Sequence, residues 1–163
     1  MSEVEFMATN HFIVDQIKKL LINPADKHNR GFLVKSLKSI KENHNYINIV
    51  YADVNGNVLF SFDSLFKSFS SESKHIIKNV VSTSAIVKRD IVYNAAKQIT
   101  LDIFAPVVDN NKTIGVLVQR NNPEKFLFSI LETSNVSDLD TRTVLFKKST
   151  DSLVIINPIK AAK

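Results

Sequence analysis

Cysteine and tryptophan are absent from the 163 residues. Without a thiol there is no disulfide framework, no cysteine-held zinc or iron–sulfur cluster and no cysteine nucleophile. Glycine is almost as scarce. Its three occurrences, Gly31, Gly56 and Gly115, stand too far apart for a dinucleotide fingerprint or a P-loop, so no glycine cradle for phosphates is present. No apolar run reaches the roughly 18 residues of a membrane span, and the N-terminus lacks the basic segment and apolar run of a signal peptide. What remains is a chain with 44% hydrophobic residues, enough for a sizeable core, and a formal charge of +5 that permits nucleic-acid binding without implying it.

Apolar residues recur at helical spacing from Val4 to Leu21, through Phe6, Phe12, Ile13, Ile17, Leu20 and Leu21, with Asp15, Gln16, Lys18 and Lys19 opposite. Asn23-Pro24 ends this helix, and Asp26 is placed to cap a second from Lys27 to Asn43, with Phe32, Leu33, Leu37 and Ile40 as its stripe. Between Lys18 and Glu42 stand seven basic and two acidic residues, an excess as large as that of the whole chain. After His44 the period shortens. Tyr46 to Val54, Asn55-Gly56 and Asn57 to Phe62 read as a hairpin. Ser70 or Ser71, with Glu72 behind, caps a helix to about Ser82. Strands are expected over Ala85–Tyr93, Gln98–Val108 and Thr113–Arg120, with Asp109 to Lys112 as the turn between the last two. A short helix from Asn122-Pro123 to Ser134 and a closing hairpin of Thr141–Lys148 and Leu153–Ile159 complete the order. The expected fold class is α+β, an antiparallel sheet with its helices on one face.

Two stretches carry a family resemblance: Tyr46 to Ser61, with Asp53, Asn55-Gly56 and Val58, and Ile99 to Val118, with Ala105-Pro106-Val107 and Gly115 to Val118. From about Phe12 to Leu131 the chain resembles the Cache group of PAS-like sensor domains, found outside the membrane in histidine kinases, chemoreceptors and cyclic-dinucleotide enzymes. The resemblance implies a long N-terminal helix on one sheet face, N-terminal helices at 1–44, a sensor lobe at 45–134 and a hairpin at 135–163. That hairpin is similar to the opening of a second lobe, in a single-lobe variant or in a fragment cut from between two membrane spans. It further implies an extracytoplasmic location, membrane tethering in the full-length protein, and relay of binding through the N-terminal helix. Two other readings stay open: a ligand-free dimerisation spacer, and a cytoplasmic PAS or GAF regulatory module.

In sensors of this fold a small ligand sits between one sheet face and the helix and loops joining the second and third strands. By that analogy Lys88, Arg89, Tyr93 and Asp102 are the polar candidates, and Tyr51, Phe60, Phe62 and Phe104 the candidate walls. Two cations suit a small organic anion, and Asp102 suits an amine. Each residue has a bland reading too: Lys88 and Arg89 adjoin Asp90 and fit a solvated turn, Asp102 fits a water-facing strand position, and the aromatic residues fit a core. The tyrosine, arginine, tryptophan and aspartate pattern of amino-acid-binding members is missing. The stripe of Phe6, Ile13, Ile17 and Leu20 is expected to join two copies in a homodimer. His11 and Asp15 are a helical pair too small to make a metal site, and Ser68 to Ser73 near His75 lacks a placed triad. No enzyme activity, cofactor, metal or nucleic-acid partner is expected.

Overall fold

The computed structural model describes residues 3–44, 46–93, 98–124, 145–148 and 153–155. They belong to two compact units, Met1–Asp90 with Leu101–Asn121, and Ile91–Thr100 with Asn122–Lys163.

The first unit opens with three helices, α1 (Glu3–Thr9), α2 (His11–Ile22) and α3 (Lys27–Asn43). The helix expected as continuous from Val4 to Leu21 is broken at Asn10, whose side chain accepts a hydrogen bond from the Ile13 amide at 3.2 Å and starts α2 anew. Asparagine is a strong helix cap, and a cap satisfies donors that a straight helix would spend internally. Asp26 caps α3 in the same way, accepting from the amides of His28 and Asn29.

The sheet follows: β1 (Asn48–Asp53), β2 (Val58–Ser61), helix α4 (Ser71–Thr83), β3 (Val87–Lys88), β4 (Val92–Tyr93), β5 (Ile99–Asp109) and β6 (Lys112–Asn121). Its order is β2-β1-β6-β5-β3, antiparallel at each pairing. The strand expected from Ala85 to Tyr93 is thus two short ones. The Asn55-Gly56 hairpin forms with a wider turn than two residues. Gly56 donates to the Asp53 carbonyl at 3.1 Å and holds φ at +81°, while the Asp53 carboxylate accepts from the amides of Asn55 and Asn57. Asn110 and Asn111 take φ of 48° and 62°, the left-handed pair that a two-residue hairpin needs.

Helices cover both sheet faces, which corrects the expectation of one. Strand β1 is apolar at four consecutive positions, and successive side chains point to opposite faces, so both faces require cover. Ile49, Tyr51 and Leu117 pack with Met7, Ile17, Leu20, Leu33 and Leu37 of α1–α3. Val50, Ala52, Phe104, Val116 and Val118 pack with Phe69, Ile77 and Val80 on the α4 side. Ile13, Ile17 and Leu20 are no more than 3% exposed, because they fill this core. Three of the four residues expected to join two copies are therefore spent inside the chain.

In the second unit β4 pairs with the first residues of β5, Val92 opposite Thr100 and Tyr93 opposite Ile99. Strands β7 (Phe146–Lys148) and β8 (Leu153–Ile155) form the closing hairpin, with Lys148 opposite Leu153. The helix expected to run to Ser134 lies, beyond Glu124, outside the described residues.

Candidate functional site

Polar side chains gather on the α4 face of the first unit. Asp102 on β5 stands opposite Arg120 on β6 in the strand register. Asp102 is fully buried and accepts two hydrogen bonds of 2.8 Å, from Nε and Nη2 of Arg120. These bonds, outweighing the loss of hydration, hold the Arg120 guanidinium above its ordinary pKa, and Asp63 adds to the attraction. The same guanidinium lies over the Phe66 ring at 5.4 Å, and Phe66 meets Phe69 edge-on at 5.0 Å. Asn48 on β1 fixes the loop that carries these rings: its amide donates to the Ser61 hydroxyl, and its carbonyl accepts from the Asp63 amide.

Arg89 follows β3, and its backbone amide donates to the Asp102 carbonyl at 2.9 Å, which ties it to the same strand. Its side chain crosses to the start of α4. Nη1 donates to the Ser73 hydroxyl at 3.3 Å, and Nη2 donates to the Glu72 carboxylate. Nε is buried and meets no acceptor among the described residues. Ser73 is positioned by Ser70, which donates to it through its hydroxyl while capping α4.

Arg89, Asp102 and Phe104 are therefore brought to one face, with Phe104 in the apolar layer beside Val87. Lys88 stands opposite Ile103 and is exposed; as Arg89's neighbour in an extended segment it belongs to the other side. Tyr51 lies on the helix face, fully buried, its hydroxyl donating to the Met7 carbonyl at 2.9 Å. Burial pushes its phenol well above the ordinary tyrosine pKa. Phe60 and Phe62 are on that face too, meeting edge-on, with the Lys41 ammonium 5.8 Å from the Phe62 ring. The side chain of Tyr93 lies outside the described part.

Arg120, Glu72, Ser73 and Phe66 are the members that the sequence reading missed. Glu72 is visible there only as a capping residue, and Arg120 only as the end of a strand. Among the described residues no group of three or more His, Asp or Glu is placed to hold a metal ion, and no helix is long and apolar enough to cross a membrane.

The sequence matches no protein-family model and no curated relative. Solved structures do match. The sensor domain of Escherichia coli DcuS superposes with a TM-score of 0.58 at 14% identity, over 78% of this chain and 88% of that one. The sensor domain of the Vibrio cholerae histidine kinase DctB gives 0.56 at 12% identity, over 74% of this chain and 46% of that one. The ligand-binding domain of the Campylobacter jejuni chemoreceptor Tlp3, in complex with 4-methylisoleucine, gives 0.53 at 19% identity, over 77% and 54%. The chain thus spans about half the length of the DctB and Tlp3 domains. At these identities the likeness is one of fold: the chain has the α+β fold of PAS-like sensor domains.

Proposed function

We propose that this chain is the extracytoplasmic ligand-sensing domain of a transmembrane signalling receptor such as a histidine kinase, chemoreceptor or cyclic-dinucleotide enzyme, and that Arg89 holds the carboxylate of a small organic ligand. The observation that carries the reading is the guanidinium of Arg89 on the α4 face, whose Nη1 and Nη2 are engaged by Ser73 and Glu72 while its buried Nε is unpaired among the described residues. A buried N–H that lacks an acceptor is costly, and a carboxylate supplies one together with charge. Phe66, Phe69 and Phe104 on the same face would exclude water from the apolar part of such a molecule. The sensor-domain fold supports the assignment, as does 4-methylisoleucine in the Tlp3 domain, since an amino acid carries a carboxylate. Arg120 is the poorer anchor, because the carboxylate that takes its Nε and Nη2 is the buried Asp102, whereas the one on Arg89 is the exposed Glu72. Pairing of two copies along the N-terminal helices enters this reading through Phe6 and Phe12, which are 40% and 48% exposed.

A thermal-shift screen of small mono- and dicarboxylates, amino acids and amines tests it. Ligand at 100 times its Kd adds about 2.7 kcal/mol to stability, which such a screen resolves. A carboxylate should raise Tm, and Arg89→Ala should abolish that rise while the variant stays folded by circular dichroism. Binding by amines alone, or full binding to the Arg89→Ala protein, overturns the assignment.

A further inference from the structure

Two arginine–carboxylate pairs share the α4 face, and they are built differently. Arg120 gives both Nε and Nη2 to the two oxygens of Asp102, a fully buried residue. Arg89 meets its carboxylate, Glu72, through Nη2 alone, and its Nε stays buried without an acceptor among the described residues. The carboxylates differ as well: the Glu72 side chain is 67% exposed, that of Asp102 1%. An exposed acid regains its hydration when it leaves a cation, so the Glu72 pair adds little net stability and exchanges readily, whereas breaking the Asp102 pair strands a buried charge. Glu72 also lies in the first turn of α4, where the helix dipole favours a negative charge whether or not Arg89 is engaged.

We propose that Glu72 is an internal competitor for the anion site: it occupies Arg89 in the ligand-free domain, and an incoming carboxylate displaces it, taking Nε and Nη2 together as Asp102 takes those of Arg120. The proposal rests on the reading of Arg89 as the anion anchor. Two consequences follow. The affinity for carboxylates is set below its intrinsic value by the fraction of domains in which Glu72 holds the anchor. Occupancy is also coupled to the first turn of α4, since displacement releases Glu72 from Nη2 and leaves the Ser73 bond to Nη1 as that turn's remaining tie to Arg89.

The experiment uses sodium acetate as the probe and the Arg89 Nε–H resonance of the whole chain as the readout, assigned by its loss in Arg89→Lys. Acetate should shift this resonance at saturating concentration in the parent, and Glu72→Gln should bind acetate about 5- to 20-fold more tightly at that resonance. Glu42→Gln, which removes one charge from the remote helix α3, should leave the affinity within about 2-fold. Equal affinity in Glu72→Gln and the parent, with the Arg89 shift intact, overturns the competitor role and leaves the anion anchor standing. An equal gain in Glu42→Gln also overturns it, since net charge would then be the cause. If acetate moves Arg89 in neither protein, the anchor and the competitor fall together.

Discussion

Asp102 and Arg120 face each other across the β5–β6 ladder and share two parallel N–H···O bonds of 2.8 Å, the planar guanidinium meeting both oxygens of a buried carboxylate. This pair joins the two longest strands on the α4 face. Its energetic asymmetry gives the first prediction. Asp102→Ala leaves a largely buried cation without its partner and should cost about 3–5 kcal/mol, while Asp102→Leu combined with Arg120→Met should recover most of that loss. Urea denaturation of the single and double variants checks this; a double variant as unstable as Asp102→Ala contradicts it.

Alkaline stability should depend on Tyr51. Burial raises its folded-state pKa above the value of about 10 for a free phenol. Above pH 10 the unfolded chain releases a proton that the folded chain keeps, so stability falls as pH rises. The contribution is complete below about pH 10 and is lost as pH climbs toward the folded-state value. Tyr51→Phe should therefore flatten the decline between pH 10 and 12, while costing about 1–3 kcal/mol at pH 7 through the Met7 carbonyl left without its donor. A shallower slope will persist from Tyr46, whose phenol is also raised, by burial and by its bond to Glu3. Equilibrium unfolding across that pH range compares Tyr51→Phe with the parent; equal slopes in the two contradict the prediction.

Two glycines should respond in opposite directions. A Cβ at Gly115 would lie 2.4 Å from the Ala52 carbonyl oxygen of the neighbouring strand, so Gly115→Ala must push β1 from β6 and should destabilise by about 1–3 kcal/mol. Gly31 lies within α3 with nothing within 4 Å of a Cβ, and Gly31→Ala should stabilise by about 0.5–1 kcal/mol. Thermal melts of both proteins, read for the sign of the change in Tm, settle the point.

What could be read from the amino-acid sequence was what neighbouring residues decide among themselves. The apolar spacing of Ile13, Ile17 and Leu20, the caps Asp26 and Ser70, the break at Asn23-Pro24 and the turn at Asn110-Asn111 are local, and all of them stand in the fold. The water-facing position that fits Asp102 when its strand is read alone does not stand, since Asp102 is buried between the half-buried Leu101 and Ile103. Which side of the sheet each residue meets, and across from what, was settled at longer range. Counted back evenly from Asp109 opposite Lys112, Asp102 would face Gln119; the bulge between Val107 and Val108 moves its partner by one residue, to Arg120. A one-residue change of register turns a side chain's partner to the other face, so the ion pair exists only because of that bulge. The separation of Arg89 from Lys88, the burial of Tyr51 beneath α1 and the reach of Arg89 to Glu72 were decided in the same way, by packing two helical layers against a sheet whose central strand is apolar on both faces.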